Sequence, residues 1–211
     1  MTARLLKHTG LALGLALTPV TPIWADDEMP AAEQSMMDPE SFISVMITDL
    51  RAIDSDVTGD EAVRNQALRT YLTSILSLSR MNRFVLSRDS RKAADPADLE
   101  AYDSLFEDYI SAVFSDQIDD LVRRDIRIDE VITRRPGDFI VRSTLFDKSG
   151  DERARIDWRA IEDDDKLRLV DVMVEGLSVN VERRAQFSAI VKNDGFPALL
   201  DHMREVAAGE G

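Results

Sequence analysis

The stretch that decides the fold is FIVRSTLFDKSGDERARIDWRAIEDDDKLRLVDVMV, which runs from Phe139 to Val174. It contains three runs, at residues 139–146, 152–161 and 166–174, in which apolar and polar residues alternate. Alternation of this kind is typical of strands that bury one face. The links between the runs are short enough for hairpins. Successive strands with such links predict an antiparallel meander.

A fourth strand is predicted just before this stretch, in RIDEVITRR. Ile126 and Ile128 alternate with polar residues, but the apolar phase shifts at Val131. A shift of phase within a strand indicates a β-bulge or a bend. Pro136-Gly137 follows and is typical of a tight turn. The sequence therefore predicts a sheet of four sequential antiparallel strands.

Helical periodicity precedes and follows the predicted sheet. Asp38 and Asp95 each stand before a proline, the pattern of an N-cap followed by the first helical residue. Apolar residues recur at helical spacing after both, and also from about Glu61 to Leu78. Beyond the sheet we expect one helix that ends at Gly195 and a final helix, which together cover one sheet face. The predicted fold class is α+β.

The first 25 residues have the features of a secretory signal peptide. Arg4 and Lys7 give a basic start, and residues 9–20 form an apolar run that is too short to span a bilayer. Ile23 and Ala25 then occupy the −3 and −1 positions of a cleavage site. We expect residues 26–37 to be a disordered leader and residues 38–207 to form a single domain.

Charge and cysteine content exclude several classes of function. The chain carries a formal net charge of −14, which becomes −16 when Arg4 and Lys7 are removed with the signal peptide. No basic stripe is present to neutralise phosphates, so we expect no nucleic-acid partner. The chain has no cysteine, which excludes disulfides, a thiolate nucleophile and Cys-ligated metals.

No residue pattern indicates catalysis or metal binding. The only histidine after the predicted cleavage site is His202, which we expect on an exposed helix face. The acidic clusters at 26–28 and 163–165 lack the ligand spacing of a calcium loop. We therefore expect no metal, no cofactor and no enzyme activity.

Three carboxylates, Asp157, Asp171 and Glu175, lie within strand-like runs. We expect such residues to face water or to meet an arginine, for which Arg155 and Arg168 are candidates. Burial of one of them with a perturbed pKa is the less favoured reading, and it would open a route to catalysis.

A series of motifs follows the strands and helices in a specific order. These are FVLSR, EAYDSLFEDYISAVF, RIDW, LVDVMVEGLSV, RRAQF and IVKNDGFPALLDHM. The chain resembles the MlaC family of periplasmic phospholipid carriers, also known as the toluene-tolerance or auxiliary ABC-transport family, over roughly residues 39–205. It departs from the family at Ser87, where Gly is common, at Asp89-Ser90, where aromatics are frequent, and at Phe114, where Tyr is frequent.

The resemblance implies a monomeric carrier in which helices and a curved four-stranded sheet enclose a deep apolar pocket. The pocket would hold the acyl chains of a phospholipid cargo and leave the head group near its mouth. The implied partners are an inner-membrane Mla-type ABC transporter complex and an outer-membrane lipoprotein–porin complex, in a system that maintains outer-membrane asymmetry. From strand parity and helix face, we predict that the pocket is lined by Phe84, Phe106, Tyr109, Val141, Leu145, Ile156, Trp158 and Val172.

The energetics of lipid transfer agree with an enclosed pocket. Two acyl chains carry about 30 methylenes at roughly 0.8 kcal/mol each, a gross cost of about 24 kcal/mol in water. Three alternatives stay open. The first is a hopanoid-associated lipid carrier of the same family. The second is a small enzyme on a similar cone-shaped fold, with Asp157 or Asp171 at the base of the cavity. The third is a periplasmic adaptor with a filled core and no ligand.

Overall fold

A computed structural model of the chain describes residues 37–56 and 61–209. The predicted signal peptide, and the predicted leader up to residue 36, lie outside the described residues. In the part that is described, no helix combines the length and the apolar character needed to cross a membrane.

The described residues form seven helices and five strands. The helices are α1 Pro39–Asp56, α2 Glu61–Ile75, α3 Leu78–Val85, α4 Arg88–Ala93, α5 Pro96–Val122, α6 Val179–Asp194 and α7 Phe196–Ala207. The strands are β1 Asp125–Arg135, β2 Asp138–Phe146, β3 Glu152–Asp163, β4 Lys166–Val174 and β5 Leu177–Ser178. The predicted N-cap at Asp38 is confirmed, because its Oδ1 accepts a hydrogen bond from the backbone N–H of Ser41 at 2.9 Å. Asp95 precedes α5 as predicted, but its side chain makes no capping hydrogen bond.

The five strands form one antiparallel sheet in the order β1-β2-β3-β4-β5. The predicted α+β meander is confirmed, with one addition. The stretch after β4 turns back at Glu175 and Gly176, which have φ values of 51° and 79°, and forms the short strand β5 against the end of β4. The sequence predicts four strands because a strand of two residues is too short to show alternation.

Strand register assigns side chains to the two faces of the sheet. Val141 pairs with Trp158, and Trp158 pairs with Val172, so the three share one face. We call this the inner face, and alternation adds Leu145 and Ile156 to it. The opposite, outer face carries Asp138, Arg142, Asp157, Arg159 and Asp171.

Strand β1 is an edge strand of the sheet and is largely exposed. The predicted β-bulge is confirmed, because the register with β2 shifts between Ile128 and Glu130. Six of its eleven residues are charged, namely Asp125, Arg127, Asp129, Glu130, Arg134 and Arg135. This side of the sheet is therefore charged and bent.

At the opposite edge of the sheet, the junction between α2 and α3 pairs with β4. The sequence predicts a helix that continues to Leu78, but α2 ends at Ile75. Leu76 forms an isolated parallel bridge with Leu169 of β4, and the N–H of Ser77 donates to the Leu169 carbonyl at 2.9 Å. Pairing with the free side of β4 thus replaces the last helical turn.

Helices α6 and α7 are joined by Gly195, which has φ 90° and ψ 170°. Only glycine adopts this backbone region without strain. The junction holds the two helices so that Phe187 of α6 and Leu199 of α7 are both fully buried in the core. The predicted end of α6 at Gly195 is confirmed.

We expect Gly195→Ala to lower the free energy of unfolding by about 1–3 kcal/mol, through backbone strain. Contact alone would cost little, because an added Cβ would lie 3.7 Å from Cδ of Pro197. Thermal unfolding of the variant measures the effect. Gly209→Ala is the control and should lower the free energy of unfolding less, since Gly209 also has a positive φ of 77° but follows the last helix and does not join two buried helices. Equal unfolding midpoints for Gly195→Ala and wild type would contradict the expectation.

Candidate functional site

A cavity of about 40 Å³ lies between the inner face of the sheet and helices α1, α2 and α5. Every side chain that lines it is apolar. The lining consists of Met46, Leu50, Leu72, Ile75, Phe114, Leu121, Trp158, Leu169 and Val172. Such a site offers contact to hydrocarbon and no group that could act in acid–base or nucleophilic chemistry.

Trp158 is fixed in the wall of this cavity by hydrogen bonds within the sheet. Its Nε1 donates to Oγ of Ser143 at 2.9 Å, and that hydroxyl donates to the carbonyl of Ile156 at 3.0 Å. Ser143 is fully buried, so these two hydrogen bonds give both the indole N–H and the Ser143 hydroxyl a partner inside the core. The indole can therefore line an apolar space without an unpaired N–H.

One hydrogen bond ties two of the lining helices together. Nη2 of Arg51 in α1 donates to the backbone carbonyl of Arg124, just after α5, at 2.7 Å. Arg51 follows the cavity residue Leu50, and Arg124 lies three residues after the cavity residue Leu121. Separation of α1 from α5 at this end of the cavity would break this bond.

Five of the eight predicted pocket residues lie together on the inner face. Trp158 and Val172 line the cavity directly. Val141, Leu145 and Ile156 are buried beside them on the same face. Alternation along the strands was the signal that found these five. Lipid contact at each of them stays a prediction.

The other three predicted residues are not brought to the cavity. The ring of Phe106 packs beside Tyr102, with centroids 5.8 Å apart, and the ring of Tyr109 packs on Phe187 of α6 at 5.2 Å. Phe84 is 40% exposed on α3, where the guanidinium of Arg184 lies 5.1 Å from its ring centroid.

The geometry of α5 explains why its aromatic stripe misses the cavity. At 3.6 residues per turn, Phe114 and Leu121 lie about a third of a turn from Tyr102 and Tyr109. The face with Tyr102 and Tyr109 packs toward α6 and α7, and the face with Phe114 and Leu121 lines the cavity. Periodicity predicts that both faces are buried, but it does not say which one meets the sheet.

Sequence reasoning missed seven lining residues: Met46, Leu50, Leu72, Ile75, Phe114, Leu121 and Leu169. The helical spacing of apolar residues in α1 and α2 and the alternation in β4 did indicate that most of them are buried. Choosing them required knowing that α1 packs against β1 and β2 and that α2 packs against β4, which local periodicity does not reveal.

Asp157 lies on the outer face, away from the cavity. Its Oδ1 is 3.7 Å from Nε of Arg142, which also pairs with Glu130 at 2.6 Å. The expectation of an arginine partner is confirmed, but the partner is Arg142 and not Arg155 or Arg168. Cross-strand register decides the pairing, because Arg142 stands directly opposite Asp157.

Asp171 also lies on the outer face, where it fixes the start of α6. Its carboxylate accepts hydrogen bonds from Oγ of Ser178 at 2.6 Å and from the N–H of Val172 at 3.0 Å. Burial raises the pKa of Asp171 above its ordinary value, while these bonds oppose the rise. For Asp171 the expectation of water or an arginine partner was therefore wrong, and the less favoured reading, burial with a perturbed pKa, holds. Neither Asp157 nor Asp171 lines the cavity, so the enzyme alternative placed both carboxylates wrongly.

His202 is half-buried, and the expectation of an exposed helix face was wrong. Its Nε2 lies 3.1 Å from Nε2 of Gln186, and its ring lies beside those of Tyr109 and Phe187. These neighbours are not the carboxylate or nucleophile that general base catalysis requires. Across residues 37–56 and 61–209, no three His, Asp or Glu side chains cluster as a metal site would require.

The fold and the cavity define an α+β protein with an apolar interior between an open antiparallel sheet and a layer of helices. The sequence matches the family described as MlaC protein over residues 40–205, and the chain therefore belongs to the MlaC family. The predicted resemblance is thus confirmed. A comparison with curated proteins finds no match.

A solved structure shows the same fold. It is the phospholipid-binding protein from Ralstonia solanacearum in complex with a phospholipid. The two structures superpose with a TM-score of 0.66 at 17% sequence identity, and the match covers 82% of this chain and 98% of that chain.

Proposed function

We propose that this protein is a periplasmic phospholipid carrier and the soluble component of an Mla-type ABC transport system. The observation that carries the proposal is the wholly apolar cavity beneath α1, α2 and α5 in a chain of the MlaC family. A relative of the same fold was solved with a phospholipid, which supports this class of cargo. The cavity lining offers acyl chains an apolar surface and carries no acidic, basic or nucleophilic side chain.

Cargo binding requires the cavity to enlarge. Its volume of about 40 Å³ is small beside the roughly 300–1,000 Å³ of ordinary ligand sites. The sheet is held rigidly by its ladder, so α1, α2 and the second half of α5 are the parts that move outward. Met46 helps, because an unbranched thioether side chain adapts to irregular space. The bond from Arg51 to the Arg124 carbonyl breaks or shifts as this happens.

Release of the cargo requires a partner. Each methylene transferred to water costs about 0.8 kcal/mol, so an acyl chain does not leave the cavity unaided. We propose that an inner-membrane ABC transporter complex and an outer-membrane lipoprotein–porin complex exchange lipid with this carrier. The system would thereby maintain the lipid asymmetry of the outer membrane.

A tryptophan in the cavity wall allows a direct test. The chain has two tryptophans, Trp24 and Trp158, so protein that begins at Asp26 contains only Trp158. We expect phospholipid with brominated acyl chains to quench Trp158 fluorescence, because heavy atoms in the cavity would contact the indole. Phosphorus analysis of the same purified protein should give close to one phospholipid per chain.

Two controls make this experiment decisive. Unbrominated lipid should bind without quenching, and bromine placed in the head group should quench less than bromine in the acyl chains. Protein that carries no phospholipid and shows no quenching with any brominated lipid would refute the proposal. Extraction of a hopanoid in place of a phospholipid would point to the hopanoid-associated branch.

A further inference from the structure

A groove of about 410 Å³ lies on the outer side of the sheet, bounded by α3, the start of α6 and strands β1, β3 and β4. Four arginines line it: Arg80, Arg83, Arg135 and Arg159. We call it the arginine groove. In a chain with a net charge of −14, this concentration of positive charge is unusual. It lies on the opposite face of the sheet from the cavity, and the two share no lining residue.

Two carboxylates offset part of the positive charge of the groove. Arg80 pairs with Asp163 at 3.3 Å, and Asp171 lines the groove, where it stands opposite Arg159 in the strand register.

A third carboxylate, Asp138, is shared by two of the arginines. Arg159 is held by Asp138 through two hydrogen bonds of 3.0 and 2.9 Å. Arg135 shares the same carboxylate at 3.2 Å and keeps 71% of its side chain exposed. Arg83 forms no ion pair with any residue in the described part of the chain. With four arginines against three carboxylates, the groove keeps an excess of positive charge, which lies at Arg83 and at the exposed Arg135.

The groove also has an apolar wall. Phe84 lines it and exposes 40% of its surface, although it is a large hydrophobic side chain. The guanidinium of Arg184 stacks on its ring at 5.1 Å from the centroid and holds the ring in place. Aromatic side chains and arginines are the residues that dominate the energetics of protein–protein contacts.

Carboxylates beside an apolar group form the complementary ligand, and an acidic peptide segment supplies both. We propose that the arginine groove binds an acidic segment of a partner protein, with carboxylates on Arg83 and Arg135 and an apolar side chain against Phe84. The inference stands apart from the proposed cargo, because no residue of the cavity takes part in it.

The charge of the whole molecule favours a peptide over a membrane surface. An extended anionic bilayer would repel the acidic remainder of the chain as well as attract the groove. A short segment feels only the local charge, since ionic interactions are screened over about 8 Å at physiological salt. The groove is thus suited to a local acidic ligand.

Binding to synthetic peptides tests the inference. The probe is a short fluorescent peptide of Asp, Glu, Leu and Phe, compared with a peptide in which Lys replaces every acidic residue. We expect the acidic peptide alone to bind, and its affinity to fall as salt is raised. Arg83→Glu combined with Arg135→Glu should weaken binding by about tenfold or more, because two charge-assisted contacts become repulsive.

Lys148→Glu is the control for a charge reversal away from the groove. It reverses one basic residue, half the change of charge in the double variant, in the exposed turn between β2 and β3, at the far end of the strands from the groove. Its affinity for the acidic peptide should equal that of wild type. Thermal unfolding of the double variant checks that the fold survives. The inference fails if the acidic peptide does not bind, or if the double variant binds it as tightly as wild type does. It also fails if vesicles of anionic phosphatidylglycerol bind the protein better than the peptide does.

Discussion

Val172→Trp is expected to lower the affinity for phospholipid by roughly 5- to 150-fold, and so to lower the lipid that stays bound through purification. Val172 lines the cavity beside its cross-strand neighbour Trp158, and a second indole would take the space that an acyl chain needs. Inserting extra bulk into a packed interior costs about 1–3 kcal/mol, which would oppose every chain that enters. Phosphorus analysis and quenching of tryptophan fluorescence by brominated lipid both measure the loss.

The next residue provides the control for this substitution. Met173 lies on the other face of the sheet, paired with Asp157, so Met173→Trp adds the same side chain outside the cavity. This variant should keep the lipid content of wild type. If Val172→Trp folds and retains full lipid, the cavity beneath α1 and α2 is not the cargo site.

Asp138→Ala is expected to lower the free energy of unfolding by about 2–3 kcal/mol. Asp138 is only 3% exposed, and its carboxylate accepts both hydrogen bonds of Arg159 and pairs with Arg135. Removing one partner of a buried ion pair leaves the other charge uncompensated, which costs about 3–5 kcal/mol when both are fully buried. The expected value is lower because the side chain of Arg159 is 31% exposed. Denaturant unfolding at neutral pH measures the change.

An exposed ion pair on the same sheet face calibrates this loss. Glu130 pairs with Arg142 at 2.6 Å, but both side chains are at least 40% exposed. Glu130→Ala should therefore change the free energy of unfolding by less than about 1 kcal/mol. Equal losses for Asp138→Ala and Glu130→Ala would show that burial of Asp138 contributes nothing.

Acid should remove the contribution of Asp138 in wild-type protein. The hydrogen bonds from Arg159 lower the pKa of Asp138 below its ordinary value, in spite of the opposing effect of burial. A carboxylate whose pKa is lower in the folded state stabilises fully above its unfolded pKa, about 3.9. That stabilisation disappears as pH falls through the folded pKa. The difference in unfolding free energy between wild type and Asp138→Asn should therefore shrink as pH falls below about 4.

The sheet could be predicted from sequence because each strand obeys a local rule. Alternation placed Val141, Trp158 and Val172 on one face, and a shift of phase located the bulge in β1. These signals depend only on which side chains face water, and that is decided within one strand. The two Asp-Pro helix starts were equally local.

The cavity could be predicted only in part, because its other wall depends on how distant elements pack. Both stripes of α5 are apolar, and the choice of Phe114 over Tyr109 rests on the position of α6 and α7. The end of α2 at Ile75 depends on a bond from Ser77 to a strand more than 90 residues later. Neither fact leaves a periodic trace in the sequence.

The charged, bent strand β1 has a consequence for behaviour at high concentration. β5 and the Leu76–Ser77 segment pair with one edge of the sheet, along β4. In the described part of the chain, β1 is therefore the only edge strand without a neighbour. An open strand with unpaired backbone groups is a template for association with a second copy and for aggregation. The six charged residues of β1 and the bulge after Ile128 oppose pairing with the edge strand of another molecule. The protein can thus reach a high concentration without polymerising through the edge of its sheet.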